Sequence, residues 1–272
     1  MTKPDFLAPA KSERAGTQPV DCTPLPNGFG CELSLPSLSS LLNQQAAAQL
    51  RRLLTIHGLL VIRAVPLTPR EQVDFSRGFG DVEVLPLQDS QLPDHPQIFR
   101  VSNRPTHGLT EVGRSWHSDG AYLTHPREIS IFHIVDVPDS GGETDFCSLH
   151  RAYDAASPSL IARLANKRAI FETGVTQPLI RRHPVTGQLG FYVCLGRSRR
   201  MVAVPEDEAN SLFCSIEQSV AQEGGMYRHR WYSGDVVVAD NFSVAHRSQP
   251  TPPNCLRVLH RTTIVGGKRL AS

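Results

Sequence analysis

The chain lacks several features that would set it apart from ordinary globular proteins. Its N-terminal stretch mixes Lys3, Asp5 and prolines, with no basic patch followed by a long apolar run, which argues against a signal peptide or membrane anchor. The chain is therefore expected in the cytoplasm, with no membrane partner. Excess charge of one sign is missing too: 28 basic residues face 26 acidic ones, a formal net charge of +2. The densest basic cluster, Arg197, Arg199 and Arg200, is too short for a phosphate-backbone track, so no nucleic-acid partner is expected. That cluster reads as a solvated or substrate-facing loop. The six cysteines, Cys22, Cys31, Cys147, Cys194, Cys214 and Cys255, include no CxxC pair and are too sparse for a disulfide scaffold. They read as reduced thiols.

Repeats, heptad seams and glycine-rich phosphate loops are absent; Gly141-Gly142 and Gly266-Gly267 are isolated pairs that read as turns. Nucleotide-binding folds lose support accordingly. No linker divides the 272 residues after the first thirty or so. Residues 1–32, rich in Pro, Gly, Ser and Thr, read as an extended arm that wraps or frays, and residues 33–272 as one domain.

Within that domain, Leu41, Leu42, Ala46, Leu50, Leu53 and Leu54 recur at helical spacing from Ser39 to His57, and Gly58 stops the helix. Leu59 to Ile62 reads as a buried strand. Thr68-Pro69 then opens a second helix carrying Val73, Phe75 and Phe79. Short β-branched and aromatic runs dominate afterwards: Gln97–Val101, Ile129–Val137, Leu189–Leu195, Met226–Tyr232, Val236–Ala239 and Leu256–Val265. Helical patterns interrupt them at Leu149–Leu164 and Pro205–Gln222. The composition of elements is mainly β with flanking helices, a sandwich or barrel.

The chemistry-bearing residues fall in three places. Trp116-His117-Ser118-Asp119 sets an imidazole and a carboxylate two positions apart, so on an extended strand both point to one face. Alone this is weak, because eleven His and fourteen Asp give roughly half an HxD triplet by chance. The second place strengthens it: Gly234-Asp235, a buried strand to Ala239, Asp240-Asn241, and then His246 near the far end. Two imidazoles and one carboxylate on one side of an ion form the facial triad of non-haem Fe(II) oxygenases, which leaves positions open for a co-substrate and O₂. A structural zinc site would leave none. Third, alternation along Leu256–Arg261 puts Arg257 and Arg261 on one face, about 13 Å apart at roughly 3.3 Å per residue, where they can serve two different anions.

The ordered set WHSD, GGET, HPVTG, GDVVVADN followed by a histidine, and LRVLHRT resembles the taurine dioxygenase family of Fe(II)/2-oxoglutarate oxygenases, over residues 38 to 266 or so. The resemblance implies a double-stranded β-helix, the jelly roll of cupin-like proteins. It implies His117, Asp119 and His246 as iron ligands, with Fe(II), 2-oxoglutarate and O₂ as the cofactor set. Thr144 and Arg257, eleven residues past the distal histidine, are implied as the clamp for the far carboxylate of 2-oxoglutarate. Arg261, four residues on, is implied to face the bound anions, on the substrate or on 2-oxoglutarate. Asp119 favours oxygen chemistry, because halide-transferring relatives replace this carboxylate with a small residue.

The expected activity is hydroxylation of a small organic acid or amino-acid-like substrate with release of succinate and CO₂. The alternative is desaturation or oxidative decarboxylation, such as isonitrile formation, in a natural-product pathway on a free or carrier-bound amino acid. A non-catalytic jelly-roll binding module ranks last, since all three ligands and both arginines are present. Asn103 and Tyr122, with His125, Tyr192 and His183 held more loosely, are candidates for the substrate pocket, although buried polar residues commonly satisfy the backbone instead. Trp116 and Trp231 read as core aromatics, and Asp240 and Asn241 as shaping the loop before His246. Loops 104–115 and 174–201 diverge most from taurine dioxygenase, so taurine is not carried over as substrate. The family often forms dimers or tetramers, which makes a homo-oligomer possible, but the sequence assigns no exposed apolar helix and leaves the oligomeric state open.

Overall fold

Alternation along the strands decides the architecture of this computed structural model, which describes residues 20–34 and 44–265. Residues 1–19 of the expected arm, the first residues of the helix expected from Ser39 and the Gly266-Gly267 turn lie outside the described residues. The strands begin with β1 (Asp21–Pro24), β2 (Cys31–Ser34), β3 (Leu59–Ile62), β4 (Gln91–Leu92), β5 (His95–Ser102), β6 (Arg127–Asp136) and β7 (Thr144–Ser148). Short strands follow: β8 (Arg168–Phe171), β9 (Thr176–Pro178), β10 (Ile180–Arg182), β11 (Leu189–Phe191) and β12 (Ser198–Met201). The chain closes with β13 (Met226–His229), β14 (Val236–Asp240), β15 (Val244–Ser248) and β16 (Val258–Val265). Five helices accompany them: α1 (Gln44–His57), α2 (Pro69–Arg77), α3 (Leu149–Asp154), α4 (Pro158–Leu164) and α5 (Glu206–Val220).

The main sheet runs β1-β2-β3-β14-β6-β16-β5-β4, and a smaller sheet β13-β7-β15 pairs antiparallel throughout. On β6, Ile129 and Ile131 point outward with Val236 and Val238 of β14 to meet α1 and α2, while Phe132 and Ile134 point inward. Their inward neighbours include Phe146 of β7 and Val244 of β15, so the two sheets face each other across a shared core. Each such fully buried side chain contributes about 1.5–3 kcal/mol by leaving water. This is the double-stranded β-helix. A separate apolar cluster, built on Leu212, Phe213 and Ile216 of α5 with Phe191 and Trp116, braces the outside of the small sheet.

Local signals explain the helix ends. Thr68 caps α2 and exchanges hydrogen bonds with Glu71 in a capping box, with Pro69 at the first position. Glu206, Asp207 and Glu208 occupy the first turn of α5, where their charge suits the helix dipole. The single helix expected over Leu149–Leu164 is in fact two, because Ser157 starts a new N-cap with Pro158 behind it, and Pro cannot continue the first helix. The run Leu189–Leu195 is a strand only to Phe191, and Met226–Tyr232 only to His229. The described part of the N-terminal segment wraps: β1 and β2 form a hairpin, and β2 pairs parallel with β3 at the edge of the main sheet.

Candidate active site

Backbone pairing brings the two histidines together. His117 donates its N–H to the carbonyl of His246 at 3.1 Å and accepts the return bond at 2.8 Å, so the HxD segment lies beside β15 as an extra edge of the small sheet. Directly opposed residues project to the same face, and the imidazole centroids stand 4.2 Å apart. Asp119, two residues on, faces the same way: its carboxylate oxygens lie 3.9 Å from His117 Nε2 and 4.0 Å from His246 Nε2. One donor atom from each of the three lies within 4.8 Å of the others, and among the described residues no fourth His, Cys, Asp or Glu joins the group. His117 Nδ1 lies 2.8 Å from the carbonyl of Ser115, which acts only as an acceptor, so Nδ1 carries the proton and Nε2 keeps its lone pair for a metal.

The charges favour metal binding. Burial and the neighbouring His117 push the His246 pKa down to about 3, so its imidazole is a neutral ligand at physiological pH. Burial works the other way on Asp119, but Arg261 above all, then the imidazoles and Ser130, outweigh it and hold the carboxyl well below the usual carboxylate range. Arg261 Nη1 donates to Asp119 Oδ1 at 2.7 Å and Ser130 Oγ to Oδ2 at 2.7 Å. Asn241 completes the scaffold, donating from Nδ2 to Ser130 Oγ at 3.0 Å. The carboxylate is ionised and fixed before any metal arrives.

Next to the triad, a cavity of about 70 Å³ is lined by His117, His246, Phe132, Thr144, Arg257, Leu259 and Arg261. Arg257 is 6 % exposed, and among the described residues no carboxylate lies within ion-pair distance of it. It donates from Nε to the carbonyl of Gly142 at 2.8 Å and from Nη2 to Thr144 Oγ1 at 3.3 Å. Burial and nearby Arg114 lower its pKa to about 10, which leaves it a cation at neutral pH. A buried cation without a counter-charge costs several kcal/mol, a cost that an incoming anion removes. Thr144 Oγ1 also accepts from the indole of Trp231 at 3.0 Å, so both its lone pairs are used and its hydroxyl proton is left to donate into the cavity. Gly142 is required here: its φ is +73°, and a Cβ would stand 2.9 Å from Arg257 Cδ.

The model of the taurine catabolism dioxygenase TauD, TfdA family matches residues 21–263. The chain belongs to this family. It is 26 % identical over 279 residues to the alpha-ketoglutarate-dependent 2,4-dichlorophenoxyacetate dioxygenase of Cupriavidus pinatubonensis, covering 90 % of this chain and 97 % of that one. It is also 26 % identical, over 87 % of this chain and 93 % of the relative, to the 3-((Z)-2-isocyanoethenyl)-1H-indole synthase of Fischerella ambigua. The crystal structure of a taurine dioxygenase from Burkholderia xenovorans superposes with a TM-score of 0.82 at 27 % identity, over 92 % of this chain and 90 % of that one. The protein is thus a 2-oxoglutarate-dependent non-haem iron dioxygenase, and its cofactor set is Fe(II), 2-oxoglutarate and O₂.

In this dioxygenase a larger chamber of about 430 Å³ adjoins the first, lined by His117 and Asp119 of the triad and sharing His117 and Arg261 with the smaller cavity. Leu85, Leu87, Phe99, Leu109 and Val112 give it apolar lining; Arg114, Arg197 and Tyr122 line it too. Arg197, from the cluster singled out in the sequence, places its guanidinium 3.8 Å from the centre of the Tyr122 ring. The side chain of Arg200 is exposed.

The other sequence candidates sit elsewhere. Asn103 lines neither chamber: its Oδ1 accepts from Arg257 N at 2.8 Å and its Nδ2 donates to the carbonyl of Cys255 at 2.8 Å, so the amide positions the Arg257 backbone. His183 pairs with Asp240 at 2.8 Å, Tyr192 is buried in the outer cluster, and His125 is exposed. Trp116 is buried in that cluster, whereas Trp231 holds Thr144. Ser130 was not foreseen. Its signal was a lone small polar residue on the inward face of an otherwise apolar strand, which has meaning only once its facing partner is known.

Proposed function

We propose that His117, Asp119 and His246 hold Fe(II), that Arg257 and Thr144 hold the distal carboxylate of 2-oxoglutarate, and that the larger chamber admits a small carboxylic acid with an apolar body for hydroxylation. The observation that carries the reading is the buried guanidinium of Arg257, without a carboxylate partner, in the same cavity as both imidazoles. Bound iron supplies the oxidative decarboxylation of 2-oxoglutarate to succinate and CO₂ that drives oxidation of the substrate.

The protein's own residues orient and shield. Arg257 and the Thr144 hydroxyl fix the far end of the oxoacid so that its near end points at the triad. Arg261 ties Asp119 in place and keeps a buried Nε–H without an acceptor, a donor for the substrate's acid group. Charge supports an anionic substrate: the ferrous charge less one carboxylate, plus Arg257 and Arg261, exceeds that of the oxoacid dianion, and Arg114 and Arg197 outnumber Glu111 in the chamber lining. The leucines and Phe99 hold the apolar body and exclude water, and Tyr122 with Arg197 completes the lining.

The relative named for isocyanoethenyl-indole formation supports a second reading, desaturation or oxidative decarboxylation of an amino-acid-derived substrate, free or carried, at the same residues. Among the described residues no helix is long and apolar enough to cross a membrane, and we place the enzyme in the cytoplasm, where its six free cysteines stay reduced. Anaerobic addition of Fe(II) and 2-oxoglutarate tests the metal and co-substrate roles: a weak visible charge-transfer band is expected from the wild type and lost with Asp119→Ala. A wild type that stays colourless, or a variant that keeps the band, overturns the assignment. Mass spectrometry of aryloxyacetates, aliphatic acids and amino acids after aerobic turnover separates the outcomes, since gain of oxygen marks hydroxylation and loss of hydrogen desaturation.

A further inference from the structure

We propose that Cys22, Cys31 and His57 form a second metal site, separate from the triad, that takes a soft divalent ion of the zinc class and pins the N-terminal hairpin to the end of α1. The three side chains offer donor atoms that all lie within 4.8 Å of one another. Cys22 Sγ stands 3.5 Å from His57 Nε2. A tetrahedral zinc with bonds of about 2.3 Å to sulfur and about 2.05 Å to nitrogen sets these atoms about 3.6 Å apart, so the spacing already matches.

The fold builds the cluster from two distant segments. In the β1–β2 ladder Cys22 faces Leu33 and Cys31 faces Pro24, so the two thiols project from the same face as diagonal neighbours. β2 lies parallel to β3, and α1 delivers His57 at its C-terminus, where the helix dipole favours a cation, immediately before the Gly58 turn. Cys31 is fully buried, whereas Cys22 and His57 are half-exposed, which leaves one side open for an entering ion and a water as fourth ligand. Two thiolates and an imidazole suit zinc, whereas the nitrogen and oxygen donors of the triad suit ferrous iron.

A disulfide explains the cluster less well. Diagonal partners in an antiparallel ladder stand about 7–8 Å apart at Cα, beyond the roughly 4.4–6.8 Å that disulfides usually span. It would also leave His57 without a role. Burial lowers the His57 imidazole, which keeps it a neutral donor, and burial with Cys22 beside it raises the Cys31 thiol, so an incoming metal displaces the Cys31 proton on binding.

The test uses the full chain with His117→Ala and Asp119→Ala, which silences the triad, stripped of metal under reducing conditions. Titration with Co(II) is expected to give one equivalent bound, with a thiolate-to-cobalt charge-transfer band in the near ultraviolet and intense visible bands. One equivalent of Zn(II) is expected to displace it and raise Tm. Cys22→Ser and His57→Gln, both at half-exposed positions, are each expected to weaken binding by more than the 10–100-fold typical of an outer-shell change. A folded protein that shows no thiolate-to-cobalt band overturns the proposal. So does a band that survives Cys22→Ser, or thiol counting that finds Cys22 and Cys31 joined to each other in the air-exposed protein with no metal bound.

Discussion

Arg257 is 6 % exposed and Asp119 5 %, while in the lining of the larger chamber Leu87 is 50 % exposed and Leu109 37 %. The first pair stand in or beside strands, each held by several hydrogen bonds; the second pair come from segments between strands, on the open wall of the chamber. The region proposed to hold iron and 2-oxoglutarate is set by ladder pairing and buried charge. The chamber proposed for the substrate is set by loop side chains over apolar space, so on that reading it can change identity without disturbing the chemistry. The proposed function therefore makes reaction type and substrate choice physically separable.

The sharpest break of that comparison is Arg257→Ala. It should raise the KM for 2-oxoglutarate at least about 30-fold, since truncating one partner of a buried charge pair costs roughly 2–5 kcal/mol. The metal-free variant should unfold no earlier than the wild type, because the cation removed has no carboxylate partner in the folded chain. A lower Tm together with an unchanged KM would show Arg257 to be structural. Ser130→Ala comes next: Asp119 loses a 2.7 Å hydrogen bond, and Fe(II) affinity should drop about 10–100-fold, read by competition with a chelator. Unaltered affinity would mean that Arg261 alone fixes the carboxylate.

Buried histidines of the main sheet and the site should also carry acid sensitivity. Burial lowers His133 and His260 to about 4 and His246 to about 3, from 6.5 in the unfolded chain. Between about pH 6.5 and 4 the unfolded state therefore binds more protons, so the stability of the metal-free protein should fall as pH drops through that window and be fully present above it. Equal Tm at pH 7 and pH 5 would refute this. The smallest effect is expected in the chamber: Arg197→Ala should change substrate KM a few-fold, about 1 kcal/mol for a partly exposed cation, and leave 2-oxoglutarate consumption without substrate unaltered. A change in that uncoupled rate would tie the two regions together.

Much of the fixed region is legible in the chain. His117 and Asp119 are two apart on an extended segment, and Arg257 and Arg261 four apart, so period-two geometry alone orients each pair. The Cys22, Cys31 and His57 group escaped notice because its spacing matches no ligand motif; only the diagonal of a hairpin and the end of a helix assemble it. Asn103 misled for a related reason, since a polar residue near a site reads as pocket-lining until the backbone groups it satisfies are visible. The single helix read over Leu149–Leu164 ignored what Ser157-Pro158 does to a helix, a local signal that was present and underweighted.

By itself the sequence determined the strand alternation, the helix caps and which side chains share a face, because these follow from dihedral geometry one residue at a time. Tertiary structure decided that His117 pairs with His246, that Ser130 reaches Asp119, and that Arg257 is buried without a counter-ion. Those facts depend on which strands become neighbours, and neighbours are chosen by burial of apolar faces over the whole chain, a sum that no single motif contains.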